Sequence, residues 1–192
     1  HARNTGAVII YDAAYEGFVT DGKPRSIYEI EGADEVAIEI SSLSKTFGFT
    51  GIRCGYTIVP KALGALRSAW ARHRSTCFNG VSYVTQRMAE AALLRPREAS
   101  ANAAIYLKNA RKLRGELTAS GLKAWGGESP YVWLKTETDS WTAFDKLLER
   151  GVITTAGVGF GEGGEGYLRL SSFCTDEEID RAVIAIKDVF CK

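Results

Sequence analysis

The chain has 192 residues, with 24 lysines and arginines against 23 aspartates and glutamates, and therefore a formal charge of +1. Its 45% hydrophobic and 24% charged residues are typical of a globular protein and exclude a disordered chain. The near-neutral charge argues against a nucleic-acid-binding tail or a polybasic membrane patch, and no stretch approaches the roughly 20 apolar residues of a membrane-spanning helix.

The first half of the chain has the pattern of an α/β protein. An apolar run that ends at Asp12 predicts a buried parallel strand. Because polar residues follow the short predicted strands, we expect a ligand site at their carboxyl ends. The strands are predicted over 7–11, 36–41 and 53–59, and helices are predicted over 61–74 and 81–94.

A long helix is predicted from Pro96 to about Ser120, because proline is tolerated in a first turn and Gly121 suits a C-cap. Beyond it, short strands alternate with helices, which predicts a small α+β unit. The strands are expected over 131–135, 152–154 and 167–171, and the helices over 141–150 and 175–190. Thr175 and Glu178 have the spacing of a capping box at the start of the last helix.

The beginning of the chain suggests how it is organised. It starts with His1 and enters a strand within a few residues, so we expect it to be the C-terminal part of a longer protein. The expected organisation is the remainder of a large cofactor-binding domain over 1–95, a bridging helix over 96–120 and a small C-terminal domain over 121–192.

The stretch from Ser41 to Gly55 carries the strongest chemical signal. Lys45 follows a predicted strand among small hydroxyl residues, and Arg53 lies eight residues further on. Ser42 and Arg53 could together hold a phosphate, as a hydroxyl and a planar fork of N–H groups. Lys45 would then be an amine that forms a Schiff base with a carbonyl. A surface lysine in a serine-rich loop is the alternative interpretation.

This stretch resembles the Schiff-base lysine motif of the fold-type I, class I/II aminotransferases, which bind pyridoxal 5′-phosphate (PLP). The shared pattern is Ser-x-x-Lys followed by Gly-x-Arg-x-Gly, and it runs here from Ser42 through Lys45 and Arg53. The resemblance implies the C-terminal part of the aspartate-aminotransferase-like PLP-dependent transferase fold. That part is an α/β architecture with some of the large-domain sheet and the small α+β domain.

Asp12 and Tyr15, upstream of the lysine, support the same resemblance. In the family, an aspartate after a strand keeps the pyridine nitrogen of PLP protonated, because the protonated ring is the electron sink. A tyrosine three residues later donates to the 3′ oxygen of the ring. The resemblance assigns these roles to Asp12 and Tyr15, and a turn aspartate with a core tyrosine is the alternative.

Arg169 lies in the sequence Tyr-Leu-Arg-Leu-Ser on a predicted strand of the small unit. An inward-facing arginine there can clamp a carboxylate through two parallel hydrogen bonds. The position resembles the aminotransferase arginine that binds the α-carboxylate of the substrate. A structural arginine paired with an acidic side chain is the alternative.

Asn79 lies in a Thr-Cys-Phe-Asn-Gly break between two predicted helices. This break resembles the LL-diaminopimelate aminotransferase branch of the family, in which the asparagine reaches the active site of the neighbouring subunit. The segment 126–133 is also similar to that branch, but Glu128, Ser129 and Pro130 depart from its pattern. We therefore expect the small-domain loop to differ in its substrate contacts.

The resemblance implies PLP-dependent amino transfer from L-glutamate to tetrahydrodipicolinate, giving LL-2,6-diaminopimelate and 2-oxoglutarate in lysine biosynthesis. Lys45 would hold PLP and then move the Cα proton as general base and acid. Another class I/II aminotransferase or a PLP-dependent C–S lyase would use the same core residues. An aminotransferase-like effector domain of a transcription regulator is the non-enzymatic alternative. We expect the 192-residue fragment to be inactive alone.

The expected partners are amino-acid and 2-oxo-acid substrates and a second copy of the chain, in a homodimer with shared active sites. No nucleic acid, membrane or metal ion is expected. Four widely spaced cysteines without a C-x-x-C pattern favour free thiols in a reducing compartment over a disulfide framework or zinc site. The cytoplasm, or the plastid stroma of a plant, is the expected location.

Overall fold

A computed structural model describes residues 1–20 and 22–191 of the chain. The chain divides into two compact units, His1–Ala103 (unit 1) and Ala104–Lys192 (unit 2). This division falls inside the segment predicted to bridge two domains, and the predicted domain bounds stay a prediction. Among the described residues, no helix combines the length and apolar character needed to cross a membrane.

Unit 1 contains a three-stranded sheet surrounded by short helices. Its strands are β1 (Ile9–Asp12), β2 (Ala37–Ser42) and β3 (Gly55–Ile58). Its helices are α1 (Ala2–Thr5), α2 (Ala33–Val36), α3 (Leu43–Thr46), α4 (Gly64–Cys77), α5 (Tyr83–Leu94) and α6 (Pro96–Ala99). Single turns of 3-10 helix lie at Glu16–Phe18, Ile27–Glu29 and Lys61–Leu63.

The sheet of unit 1 has the order β1-β2-β3. β1 pairs with β2 in parallel, as the sequence predicts, and β3 runs antiparallel to β2. The prediction that the first strand is buried differs from the structure, because Ile9 is 38% exposed and Ile10 is 69% exposed. With β1 at the edge of the described sheet, the apolar side chains of this strand have few neighbours within the chain.

Unit 2 is a four-stranded antiparallel sheet packed with helices, and its strand order is β4-β5-β7-β6. The helix α7 spans Ala101–Ala119 and continues from unit 1 into unit 2. The other helices and strands are β4 (Ala124–Gly126), β5 (Tyr131–Lys135), α8 (Ser140–Leu148), β6 (Thr155–Ala156), β7 (Tyr167–Ser171) and α9 (Asp176–Phe190). Single turns of 3-10 helix lie at Gly157–Phe160 and Glu162–Gly164.

The core of unit 2 forms where alternating strand residues meet one face of each helix. Every second residue of β5 and β7 is buried, which is the period-two pattern of a strand with one covered face. Helix α9 begins with the predicted capping box, since the Thr175 hydroxyl accepts from the Glu178 N–H. The central buried residues are Leu113, Leu117, Val132, Leu134, Leu147, Leu168, Ile179 and Ile186.

Two further predicted elements differ clearly from the structure. The helix expected over 96–120 is interrupted at Ser100, between α6 and α7. The strand expected over 152–154 is instead a two-residue strand, β6, at Thr155–Ala156. Its position is set by pairing with β7, through Thr155 opposite Arg169, and no short apolar run can specify that register.

Candidate active site

One end of the unit 1 sheet gathers several of the predicted cofactor contacts. Asp12 ends β1 and Ser42 ends β2, and the carboxyl ends of parallel neighbours meet at the same edge. Since β3 is antiparallel and Gly55 pairs with Ser42, Arg53 enters the sheet from that edge too. Gly55 is required there, because a Cβ atom would lie 2.6 Å from the carbonyl oxygen of Ser41.

Lys45 lies in α3, the single helical turn directly after β2, and is half-buried. Its Nζ atom is 5.8 Å from the centre of the Tyr15 ring. Tyr15 is 40% exposed and stands just before the 3-10 turn Glu16–Phe18. The structure therefore brings the predicted lysine and tyrosine together, at the distance of a cation–π contact.

Asp12 is exposed at the end of β1, and its carboxylate is oriented by the turn that follows. The Oδ1 atom accepts a hydrogen bond from the Ala14 N–H at 2.9 Å. Aspartate commonly forms this side-chain-to-backbone turn, which fixes the direction of the carboxylate. The predicted role as a partner of the cofactor ring nitrogen is compatible with this exposed, oriented position.

Arg53 adopts a φ of 64°, a left-handed conformation that is uncommon for residues other than glycine. Its Nη1 atom donates to the Thr50 carbonyl at 2.9 Å and to the Ser44 hydroxyl at 3.4 Å. Ser44 is buried, with 8% exposure. The guanidinium group is therefore anchored by α3 and by the loop that connects α3 to β3.

A second serine of the motif, Ser44, contacts Arg53. The prediction that Ser42 and Arg53 together hold a phosphate stays a prediction. The Ser42 hydroxyl accepts from the Ser44 N–H at 3.2 Å and caps α3. Both serines belong to the same motif, but the motif alone does not tell which hydroxyl faces the arginine.

Sequence reasoning also missed a contact between the residues that follow Tyr15 and Lys45. Thr46 donates from its hydroxyl to the Glu16 carboxylate at 3.0 Å. The two residues are 30 positions apart in the chain, so no local pattern could have revealed the contact.

Arg169 lies on β7 in unit 2, opposite Trp133 on one side and Thr155 on the other. Its guanidinium carbon is 4.5 Å from the centre of the Tyr131 ring and 4.9 Å from that of Phe160. Its Nη2 atom donates to the Thr155 hydroxyl at 3.3 Å, and its Nε atom is buried without a hydrogen bond to any described residue. Within the described part of the chain, aromatic rings and a hydroxyl hold this arginine, which disfavours an acid-paired structural role.

Asn79 lies in the turn between α4 and α5 and is exposed. It adopts a φ of 62°, a conformation that asparagine tolerates better than most residues. Its backbone N–H donates to the Arg74 carbonyl at 2.9 Å and closes the end of α4. The turn thus presents the asparagine side chain at the surface of unit 1.

Comparison with known proteins decides the family. Residues 1–186 match the sequence profile of the family described as aminotransferase class I and II. The chain belongs to this family. Class I and II aminotransferases generally depend on PLP, act on amino-acid and oxo-acid substrates and are typically dimers.

Individual aminotransferases show how far the likeness extends. LL-diaminopimelate aminotransferase of Prochlorococcus marinus (strain MIT 9313) is 48% identical over 203 residues, covering 97% of this chain and 50% of that protein. The L,L-diaminopimelate aminotransferase structure from Chlamydomonas reinhardtii has a TM-score of 0.85 and 40% identity, over 98% of this chain and 49% of that one. The chain spans about half the length of these relatives.

A more distant aminotransferase has the same fold. A mutant of the Thermus thermophilus aspartate aminotransferase, complexed with tryptophan, is 27% identical with a TM-score of 0.83, over 98% of this chain and 50% of that one. The predicted aspartate-aminotransferase-like α/β fold class is therefore confirmed.

The side chains at the sheet end of this aminotransferase chain fit PLP chemically. Lys45 has an amine that would suit the aldehyde, Asp12 a carboxylate that would suit the ring nitrogen, and Tyr15 a phenol that would suit the ring oxygen. Arg53, together with the buried Ser44 hydroxyl, supplies N–H and O–H donors suited to a phosphate. The geometry that carries this fit is the shared edge of β1, β2 and β3.

The cysteines do not form a competing site among the described residues. All four are free thiols, and no group of three or more His, Cys, Asp or Glu residues in the described part of the chain is placed to hold a metal ion. Burial raises the pKa of the Cys174 thiol, with a smaller contribution from the Glu178 charge. A raised pKa disfavours the thiolate that nucleophilic chemistry needs.

Proposed function

We propose that the protein carrying this chain is a PLP-dependent aminotransferase that acts on LL-diaminopimelate. The proposed reaction moves an amino group from L-glutamate to tetrahydrodipicolinate and yields LL-2,6-diaminopimelate and 2-oxoglutarate. The observation that carries the proposal is the placement of Lys45, Tyr15, Asp12 and Arg53 at one sheet end. Similarity to proteins named LL-diaminopimelate aminotransferase supports the choice of substrate.

PLP, when bound, supplies an aldehyde for amines and a ring that accepts the electrons released at the substrate Cα. Lys45 would hold the cofactor through Nζ. Once its amine is free, Lys45 would serve as the general base that takes the proton from the substrate Cα, and its protonated form would serve as the general acid. The half-buried position of Lys45 next to the Tyr15 ring limits where Nζ can go, which keeps this base close to its target.

The remaining residues of the sheet end are proposed to orient and polarise the cofactor. The carboxylate of Asp12, oriented by the Ala14 N–H, is proposed to keep a proton on the ring nitrogen through an ion pair. The Tyr15 hydroxyl is proposed to donate to the ring oxygen. Arg53, with the hydroxyls of Ser42 and Ser44, is proposed to anchor the phosphate, since arginine offers several N–H donors in a fixed plane.

Arg169 is proposed to bind the α-carboxylate of the substrate. Its Nε–H group is buried without an acceptor among the described residues, and a buried donor without a partner is unfavourable. A carboxylate bound side-on would accept from Nε and from a terminal nitrogen at once. The Tyr131 and Phe160 rings restrict the plane of the guanidinium, so that this pairing needs little reorganisation.

Asn79 is proposed to serve the active site of a neighbouring subunit in a homodimer. Its exposed position in the turn after α4 supports this proposal, because a residue that reaches another subunit must lie at the surface. Mixed dimers of Lys45→Ala and Asn79→Ala subunits test the sharing. Each such dimer should contain one intact site, and dimers without activity would contradict it.

The proposed reaction is tested with the purified full-length protein, by following amino transfer between LL-diaminopimelate and 2-oxoglutarate. We expect turnover by the wild type and almost none by Lys45→Ala, since no other residue can replace the amine. Lys61→Ala, which removes an exposed lysine from the same unit, is the matched control and should retain activity.

Other results would contradict the proposal in distinct ways. Amino transfer only from other amino acids would favour another class I/II aminotransferase. Release of a thiol from a sulfur-containing substrate would favour a C–S lyase. PLP binding without any turnover would favour the effector domain of a regulator.

A further inference from the structure

A polar contact joins the two short turns that carry Tyr15 and Lys45. Thr46, directly after Lys45, donates from Oγ1 to Oε1 of Glu16, directly after Tyr15, at 3.0 Å. Thr46 is 3% exposed and the Glu16 side chain is 25% exposed, so water competes weakly for this bond. We propose that Glu16 is a positioning residue that holds Lys45 in register with Tyr15, a role that rests on the proposed function of Lys45.

Arg25 fixes the Glu16 carboxylate from its other side. Its Nη2 atom lies 2.7 Å from Oε2 of Glu16, and its Nε atom donates to the Glu16 backbone carbonyl at 3.1 Å. The Arg25 backbone N–H donates in turn to the Glu29 carboxylate at 2.7 Å. Each Glu16 oxygen therefore has its own partner, and the carboxylate can accept from Thr46 in one orientation.

The helix that carries Lys45 needs such a support. α3 has four residues, whereas an isolated helix needs roughly 12 to 15 residues to be even marginally stable. Its first turn is held by the Ser42 cap, and its last residue, Thr46, is held by Glu16. These two bonds hold the two ends of the short turn from which the Lys45 side chain leaves the backbone.

The residue after Glu16 is also matched to this contact. A Cβ atom on Gly17 would lie 2.6 Å from the Thr46 hydroxyl oxygen, too close for any larger side chain. Glycine therefore lets the turn that follows Tyr15 approach α3 closely enough for the bond to Thr46 to form. In the sequence Tyr-Glu-Gly, the tyrosine is thus a predicted cofactor contact, the glutamate accepts the hydrogen bond from α3, and the glycine leaves room for that bond.

The experiment measures how fast Lys45 captures PLP, rather than turnover. The full-length protein is freed of cofactor and mixed with PLP, and borohydride is added at successive times to fix the cofactor to its lysine. Mass spectrometry then gives the fraction labelled at Lys45. Thr46→Val removes the hydroxyl at nearly constant volume, and Thr46→Ser keeps it.

We expect Thr46→Val and Glu16→Ala each to slow labelling of Lys45 by about tenfold or more, because small misplacements of a reacting group carry large rate penalties. Thr46→Ser should stay within about twofold of the wild type, since its hydroxyl can still donate. The double variant Thr46→Val/Glu16→Ala should be no slower than the slower single variant, because the two residues act through one bond.

A matched control separates positioning from general loosening of unit 1. Ser82 caps α5 in the same unit through its bond to the Thr85 N–H. Ser82→Ala should leave the labelling rate unchanged. Equal slowing by Ser82→Ala, wild-type rates in Thr46→Val, or additive slowing in the double variant would overturn the role of Glu16. Absence of label on Lys45 in the wild type would overturn the proposed function and this inference together.

Discussion

The two units differ in how much of their apolar surface the chain itself covers. In unit 2, Val132, Leu134 and Leu168 on the central strands are 0% exposed. In unit 1, Ile10 of β1 is 69% exposed and Tyr56 of β3 is 42% exposed, and helix α4 has no buried residue at all. Unit 2 therefore has a continuous hydrophobic core, whereas unit 1 has small clusters between exposed apolar faces.

This difference shows that the stability of unit 2 and the geometry of the candidate site in unit 1 depend on different interactions. Hydrophobic burial dominates the free energy of folding, so the described core of unit 2 supplies most of its stability from its own residues. The five predicted cofactor contacts all lie in unit 1, where short turns are held by the Ser42 cap, by Arg53 in its left-handed backbone conformation and by the partly buried bond from Thr46 to Glu16. The turns of the site are held by these directional bonds together with the small hydrophobic cluster around Leu43 and Phe49.

The largest expected effect appears when the two parts are made separately. A fragment of residues 101–192, which keeps the whole of α7, should give one cooperative transition in urea, because its buried residues contact one another. A fragment of residues 1–100 should show no cooperative transition. Urea titrations followed by circular dichroism check both, and a cooperative residue 1–100 fragment would contradict the comparison.

Truncating a core residue of unit 2 should have the next largest effect. Leu134 is fully buried in β5, and Leu134→Ala should lower the free energy of unfolding of unit 2 by about 2–5 kcal/mol through lost transfer energy and the cavity left behind. The matched control is Leu148→Ala at the end of α8, where leucine is 45% exposed. The control should cost less than about 1 kcal/mol. Equal losses in the two variants would show that the core has been misplaced.

Loss of the α9 cap should have a smaller effect. Thr175→Ala removes the hydroxyl that accepts from the Glu178 N–H and should destabilise unit 2 by about 1 kcal/mol at neutral pH. Thr175→Ser keeps that hydroxyl and should retain most of the stability that Thr175→Ala loses. Urea unfolding of the three proteins checks this, and a Thr175→Ser variant as unstable as Thr175→Ala would point away from the cap.

The smallest expected effect is a loss of stability of unit 2 at acidic pH. The Thr175 N–H lowers the pKa of Glu178, and the Lys112 side chain lowers that of Asp176. A carboxylate whose pKa is lowered in the folded protein stabilises the fold at pH values above its unfolded-state pKa, about 4. This contribution is lost as the pH falls through the folded-state pKa. Unit 2 should therefore weaken below about pH 4. Glu178→Gln should flatten this loss in unfolding titrations from pH 6 to pH 2, and an unchanged slope would contradict it.

The sequence was sufficient to predict those elements whose signals are local. The bounds of β5 and β7 match the prediction, because a short apolar run after Pro130 defines β5 and alternating leucines after Gly166 define β7. The capping box at Thr175 and Glu178 is confirmed for the same reason. The break at Ser100 has no strong local signal, since neither glycine nor proline marks it.

The candidate site was predictable in composition but not in all its contacts. The lysine motif located Lys45 and Arg53, and the topology of parallel neighbours explains why Asp12 and Tyr15 join them. The partner of Arg53 and the bond from Thr46 to Glu16 depend on how distant turns meet in space. Such contacts leave no periodicity in a single sequence, and only the folded chain reveals them.

The central claim is that Lys45 in unit 1 is the lysine that holds the cofactor. The most direct measurement is borohydride reduction of the full-length protein with PLP bound, followed by proteolysis and peptide mapping. The account predicts one pyridoxyl group per chain, on the peptide that contains Lys45. A label on Lys61 or on any other lysine, or no label at all, would contradict it.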